Sequence, residues 1–224
     1  PICKKFCVLG NLDMGLSSAA SRRKRAVESF RTAAECIGPI EPGMSVFAIT
    51  RGQFSMIDAI VHVIESVGLC RISLWTWTIA DYEIDVVNWL QDNGKIQDAL
   101  LLIDRRSQSI NHQLIQKWKS KYGPKSVRYI VNHAKIATVE SLDGRFRVLL
   151  RGSMNLNHNA RFEQLDVTEG GPDFDLVRRI EGEIEWLPDD FSRAEVTRVS
   201  GVDVSKDFGG DALKPLQGLK KWQM

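Results

Sequence analysis

The stretch from Val131 to Asp166 places side chains of complementary chemistry at short, regular spacings. His133 and Lys135 are two residues apart, and Ser153 and Asn155 repeat this spacing further along. Side chains two apart on a strand point to the same face, so we expect each pair to face one pocket. An imidazole can act as a nucleophile or a proton carrier near neutral pH. An ammonium and an amide suit the charge of a transferring phosphoryl group.

A carboxylate follows the second pair. Glu163 is expected to hold the second ring nitrogen of His133, which would fix the tautomer of the imidazole. An alternative interpretation is a strand histidine next to an unrelated Gly-Ser turn. That interpretation must also explain why all of the residues in the set occur together and in order. The set consists of His133, Lys135, Gly152, Ser153, Asn155 and Glu163.

This order resembles the signature of the phospholipase D superfamily, which is H-x-K, an acidic residue, then G-S-x-N and a downstream Glu. The resemblance implies that His133 attacks phosphorus and forms a phosphohistidine. It also implies that Lys135 and Asn155 bind the phosphate oxygens, and that neither a metal nor another cofactor takes part. The acidic position departs from the family, because Glu140 stands where Asp is usual. The hairpin that follows is longer than usual, so Asp143 is a second candidate for this position.

The catalytic centre of the family uses two H-x-K motifs. One His is the nucleophile, and the other protonates the leaving oxygen and later activates water. This chain holds one such motif and resembles the small dimeric nucleases, which implies a homodimer whose subunits share one pocket. We therefore expect a phosphodiesterase that cleaves nucleic acid, with DNA favoured. The alternatives are a phospholipase D or phosphatidyl transferase, and a catalytically silent nucleic-acid-binding protein of the same fold.

Basic residues supply further candidates for phosphate contacts. A dense basic run spans residues 22–25, and it fits either a contact with a phosphate backbone or a solvated helix face. Arginines also follow two of the predicted strands. For each of these arginines, the alternative interpretation is a surface residue in a loop with no role in binding. The candidates are Arg22, Arg23, Lys24, Arg25, Arg51, Arg105 and Arg106.

The composition sets the class of protein. The chain has 224 residues, of which 43% are hydrophobic, and this composition is typical of a globular protein. Its net charge is +2, so it is only mildly basic. No apolar run approaches the roughly 18 residues needed to span a bilayer. The first ten residues contain too short an apolar part for a signal peptide, so we expect a cytoplasmic protein without a membrane partner. The four cysteines are irregularly spaced, which favours free thiols.

Strand and helix patterns alternate through the middle of the chain. Repeated β-α-β units predict a mostly parallel or mixed sheet with helices on both faces, to which a hairpin through residues 142–144 adds antiparallel strands. In such sheets, ligands bind beyond the carboxyl ends of the strands. The predicted strands are 44–50, 71–79, 99–103 and 126–131, and the predicted helices are 54–67, 81–91, 108–122 and 174–186.

Two regions flank this alternation. Residues 1–38 are predicted to be a helical extension that carries the basic run, with a helix from Ser17 or Ser18 to about Cys36. Residues 39–188 form the predicted catalytic domain. Residues 189–224 lose clear periodicity and are predicted to be an extended tail.

Overall fold

A single mixed sheet with helices on both faces organises the chain in the computed structural model, which describes residues 23–28, 32–158 and 160–202. The predicted fold class is confirmed. The strands are β1 (Arg23–Glu28), β2 (Met44–Thr50), β3 (Cys70–Thr76), β4 (Ile96–Asp104), β5 (Val127–Ile130), β6 (Ile136–Ser141), β7 (Arg147–Gly152) and β8 (Glu163–Glu169). The helices are α1 (Ala33–Ile37), α2 (Met56–Val67), α3 (Asp81–Asp92), α4 (Ser107–Ile110), α5 (His112–Tyr122), α6 (Pro172–Glu183) and α7 (Arg193–Ser200).

The strands lie in the order β1-β2-β8-β7-β6-β3-β4-β5. The pairs β1–β2, β3–β4 and β4–β5 are parallel, and the other pairs are antiparallel. It follows that β6 and β8 run against all of the other strands. The other six strands all end on the side of the sheet where β6 and β8 begin. We call this side of the sheet the carboxyl edge.

The first face of the sheet is covered by α1, α2, α3 and α5. The apolar residues of α2 recur at helical spacing, and Ile57, Ile60 and Ile64 are at most 1% exposed. They pack in one cluster with the buried side chains of β2, β3, β4 and β7. Burying a side chain of this size stabilises the fold by about 1.5–3 kcal/mol. At the start of α2 the Ser55 amide donates to the Asp58 carboxylate at 2.7 Å, which satisfies one of the unpaired N-terminal donors.

The second face is covered by α6. Phe174 and Val177 pack on Leu149 of β7. The buried carboxylate of Glu181 accepts a hydrogen bond from the Trp75 indole at 2.8 Å, which ties α6 to β3. Trp75 therefore packs against α6. Within the described ranges, no helix is both long and apolar enough to cross a membrane.

The predicted N-terminal helix is wrong where the structure describes it. Residues 23–28 form β1, paired in parallel with β2 from Arg23↔Met44 onwards. Among the described residues before β2, only α1 is helical, and Thr32 caps α1 by accepting from the Glu35 amide at 3.2 Å. Without β1, the outer backbone groups of β2 would form an unpaired edge, and β1 pairs with these groups. The predicted helix start at Ser17 or Ser18 lies outside the described residues.

Other differences concern short elements. The helix predicted over 108–122 is divided at Asn111 into α4 and α5. The strand β8 was not predicted, and α7 lies within the predicted extended tail. Ser192 and Glu195 form a reciprocal capping box at the start of α7, and this Ser-x-x-Glu spacing is a signal that could have revealed the helix. The free-thiol prediction is confirmed for Cys36 and Cys70, while Cys3 and Cys7 lie outside the described residues.

Candidate active site

The H-x-K residues lie at the carboxyl edge, in segment 131–135, which joins β5 to β6 and is neither helix nor strand. Their predicted position within a strand is wrong, although Lys135 directly precedes β6. The Gly152 amide donates to the Lys135 carbonyl at 3.2 Å, which places the end of β7 beside this segment. His133 is exposed and Lys135 is half-buried. An exposed imidazole at this position is accessible to a substrate.

Two buried polar side chains, Asn132 and Asp104, hold this segment in place, and Asn132 was not predicted from the sequence. The Asn132 side-chain amide donates to the Thr76 carbonyl at 3.0 Å, and its Oδ1 accepts from the Ala134 amide at 2.9 Å. Asp104 Oδ2 accepts from the Asn132 backbone amide at 3.2 Å. Asn132 is 6% exposed and Asp104 is 3% exposed, so neither can exchange these bonds for water at low cost. The residues on both sides of His133 are thereby fixed.

Lys135 contacts the ring of His133 directly. Its Nζ lies 3.2 Å from Nδ1, 3.3 Å from Nε2 and 2.8 Å from the His133 carbonyl oxygen. An ammonium group can only donate, so a hydrogen bond to the ring requires an unprotonated ring nitrogen. Partial burial lowers the pKa of Lys135, and the Glu163 carboxylate opposes this shift. Lys135 therefore interacts with both the imidazole and the carboxylate of the predicted set.

Ser153 and Glu163 meet across the ends of β7 and β8. The Ser153 hydroxyl donates to the Glu163 carboxylate and accepts from the Gln164 amide at 2.9 Å. The Ser153 amide donates to the Gln164 carbonyl at 3.1 Å. The hydrogen bond predicted between Glu163 and His133 is not formed among the described residues. Glu163 holds Ser153 instead.

Asn155 is positioned by its neighbours. Met154 and Leu156 are 2% and 4% exposed and anchor the segment in the core, so the half-buried Asn155 lies between two fixed points. The carbonyl of Asn155 accepts from the Met56 amide at 3.3 Å, and that of Leu156 accepts from the Ile57 amide at the same distance. The amino end of α2, with its partial positive charge, therefore lies directly behind Asn155.

Both candidates for the acidic position lie at the end of the sheet opposite the carboxyl edge. Glu140 lies five residues beyond Lys135, roughly 15 Å along an extended strand, and its carboxylate is 3.7 Å from Arg178. Asp143 accepts from the Arg145 amide at 3.0 Å in the hairpin turn. This backbone hydrogen bond, together with bonds from the side chains of Ser141 and Arg145, lowers the pKa of Asp143 to about 2. Glu140 therefore contacts Arg178 of α6, and Asp143 stabilises the hairpin turn. Neither carboxylate lies near His133.

The three arginines predicted to follow strands lie at the carboxyl edge. Arg51 follows β2, and Arg105 and Arg106 follow β4. The Arg51 guanidinium lies 5.0 Å from the ring centroid of Phe162. Arg106 donates through Nε to Asp104 at 2.7 Å and lies 5.2 Å from the Trp77 ring. Arg105 is half-buried. All three are on the same edge as His133, as the alternation predicted.

The basic run lies elsewhere. Arg22 is outside the described residues, and β1 begins at Arg23, which pairs with Met44 at the edge opposite His133. Lys24 also lies in β1. The guanidinium of Arg25 donates to the carbonyls of Cys36 and Ile37 and so binds the end of α1. A phosphate-binding role for the run stays an interpretation. Among the described residues, no cluster of three or more His, Cys, Asp or Glu side chains is arranged to hold a metal.

Comparisons with known proteins give fold-level similarity alone. No protein-family model and no curated protein matches the chain. A polyphosphate kinase from Porphyromonas gingivalis is similar in structure, with 14% identity and a TM-score of 0.46, over 66% of this chain and 27% of that one. A phosphatidylserine synthase from Haemophilus influenzae Rd KW20 has 14% identity and a TM-score of 0.43, over 66% of this chain and 40% of that one. The chain thus matches less than half of either protein, and such similarity does not define an activity.

Proposed function

We propose that this chain is a metal-independent phosphodiesterase that cleaves nucleic acid, with DNA favoured, through a phosphohistidine intermediate. The observation that carries the proposal is the contact between Lys135 and the exposed ring of His133, 3.2 Å from Nδ1, in a segment fixed by buried hydrogen bonds. Ser153 and Glu163 lie on the neighbouring strands at the same edge. A candidate nucleophile and a cation therefore lie side by side, with a hydroxyl and a carboxylate on the neighbouring strands, and these groups suit phosphoryl transfer.

The reaction follows from the chemistry of these groups. The unprotonated nitrogen of His133 attacks phosphorus, and the bond from phosphorus to the leaving oxygen breaks. The Lys135 ammonium and the Asn155 amide stabilise charge on the non-bridging oxygens. Water then attacks the phosphohistidine, the P–N bond breaks, and the imidazole is regenerated.

The leaving oxygen needs a proton, and water needs a base in the second step. One imidazole cannot serve as the nucleophile and as the acid in the same step. We therefore propose a homodimer in which the partner subunit's His133 donates the proton and later activates water. The exposure of His133 at the carboxyl edge favours this assembly, because a two-fold axis near the ring can bring both copies to one phosphate.

Phosphodiester cleavage should persist in excess EDTA. The test uses bis(p-nitrophenyl) phosphate and a labelled DNA oligonucleotide, with the mass of the enzyme followed by light scattering. We expect turnover of both substrates by a dimer at unchanged rates with chelator. Loss of turnover in EDTA and its recovery with a divalent cation would contradict the mechanism. Turnover of phosphatidylcholine vesicles without turnover of DNA would assign the site to lipid.

Asn132→Ala should lower turnover without unfolding the chain. The substitution leaves the Thr76 carbonyl and the Ala134 amide without their partner, so the His133 segment loses its fixed geometry. Because small displacements of reacting groups are costly, we expect kcat for the small diester to fall by about 10²-fold with little change in KM. The matched control is Asn93→Ala, which removes an exposed amide that binds the Trp89 carbonyl. Equal kcat values for Asn132→Ala and the wild type would show that Asn132 does not position the site.

A further inference from the structure

Two exposed aromatic side chains lie at the carboxyl edge, each paired with an arginine. Phe162 is 69% exposed and immediately precedes Glu163, and Trp77 is 40% exposed and follows β3. The guanidinium groups of Arg51 and Arg106 lie 5.0 and 5.2 Å from the respective ring centroids. Each pair therefore offers an apolar surface next to a positive charge.

The two aromatic residues lie on opposite sides of Lys135, which contacts the ring of the candidate nucleophile. Along the carboxyl edge the strands run β8, β7, β6, β3. Phe162 precedes β8, Ser153 follows β7, Lys135 precedes β6 and Trp77 follows β3. Three strand spacings of about 4.8 Å separate the outer two, so they lie roughly 14 Å apart with Lys135 between them.

The loop that carries Trp77 is held by its neighbours. The Ser107 hydroxyl donates to the Trp77 carbonyl at 3.1 Å, and the Asn111 amide donates to the Thr78 hydroxyl at 3.0 Å. The hydrogen bond that Nε of Arg106 donates to Asp104 fixes the guanidinium beside the ring. Little conformational entropy remains to be lost when a ligand stacks on this surface.

We propose that Phe162 and Trp77 are stacking platforms for the bases of single-stranded nucleic acid, one on each side of the phosphate that His133 attacks. Arg51 and Arg106 then contact the backbone phosphates next to the stacked bases. This inference rests on the proposed function and deepens it, because it names the strandedness of the substrate. Every base has a π face, so stacking needs no particular sequence, and it requires bases that are not already stacked in a duplex.

The charge around the site favours this ligand over other uses of an exposed ring. Lys135, Arg51, Arg105 and Arg106 share the carboxyl edge, and a polyanion is attracted to such an edge. The exposed side chain of Trp89 lies in a different setting. Trp89 on α3 is 57% exposed, but its helix carries acidic residues, and such a surface repels a polyanion. Trp89 is therefore a matched control for the stacking residues.

The test measures binding of a fluorescent oligothymidylate by anisotropy, in a His133→Ala background that prevents cleavage. We expect Phe162→Ala and Trp77→Ala each to raise Kd by about 5- to 100-fold, as removal of one base stack does. Trp89→Ala should change Kd by less than about 2-fold. For a duplex, we expect weaker binding and a smaller effect of both stacking variants.

The outcomes separate this inference from the function on which it rests. An unchanged Kd in both stacking variants, or an equal loss in Trp89→Ala, would overturn it. Loss of binding to anionic phospholipid vesicles in the same variants, with oligonucleotide binding intact, would also overturn it, because the rings would then be lipid contacts. Turnover of bis(p-nitrophenyl) phosphate by the wild type is measured separately. Its absence would refute the phosphodiesterase while a stacking effect on Kd would still establish the binding site.

Discussion

His133→Ala should abolish phosphodiester cleavage and leave the fold intact. The proposed nucleophile is an exposed side chain whose ring contacts Lys135, so its removal leaves no buried group without a partner. We expect kcat for the small diester to fall by about 10⁴-fold or more, the scale of loss when a covalent nucleophile is removed. Thermal unfolding should stay close to that of the wild type, because surface substitutions usually change stability by less than about 0.5 kcal/mol.

A matched histidine sharpens this experiment. His112 is exposed at the start of α5 and belongs to neither segment of the candidate site, so His112→Ala should retain wild-type kcat. A covalent phosphoryl adduct should be trapped on the wild type by acid-free quenching and should be missing from His133→Ala. Survival of turnover in His133→Ala would remove the nucleophile assignment, whatever the state of the fold.

The sequence predicted the central elements well because their signals are local. The apolar positions of α2 recur at helical spacing, and residues 99–103 of β4 form a continuous apolar run, so neither depends on knowing what packs against it. In contrast, whether residues 23–28 form a strand depends on the neighbouring strand β2. Their sequence also fits a helix, and pairing with β2 decides between the two.

In the candidate site too, some features have a local signal in the sequence and others depend on contacts between distant residues. Spacing made His133, Lys135 and Glu163 candidates, because the order of side-chain types can be read from the sequence alone. The positioning role of Asn132 was not visible, because it depends on a hydrogen bond to Thr76 at the end of β3. Likewise, Glu163 bonds to Ser153 rather than to His133, and this choice is decided by the close pairing of β7 and β8.

The Gly152 position should tolerate no side chain. A Cβ atom built there lies 2.0 Å from the Gln164 carbonyl oxygen and 3.2 Å from the Cα atom of Leu165. These are backbone atoms of the paired strand, so they cannot move aside without disturbing the β7–β8 ladder. We expect Gly152→Ala to destabilise the fold by about 3 kcal/mol, the upper part of the usual range for overpacking. For a domain of this size, this lowers Tm by roughly 6–12 °C.

The same substitution should also impair the site in the molecules that stay folded. Ser153 and Glu163 lie next to the clashing residues on the two strands, so separating β7 from β8 breaks the hydrogen bonds between them and moves Glu163 away from Lys135. The matched control is Gly182→Ala in α6, where no atom lies within 4 Å of the added Cβ. There we expect a stabilisation of up to about 1 kcal/mol, because Ala is the better helix former. If Gly152→Ala unfolds within 1 °C of the wild type in a thermal scan, β7 and β8 do not approach as closely as described, and the motif glycine has another role.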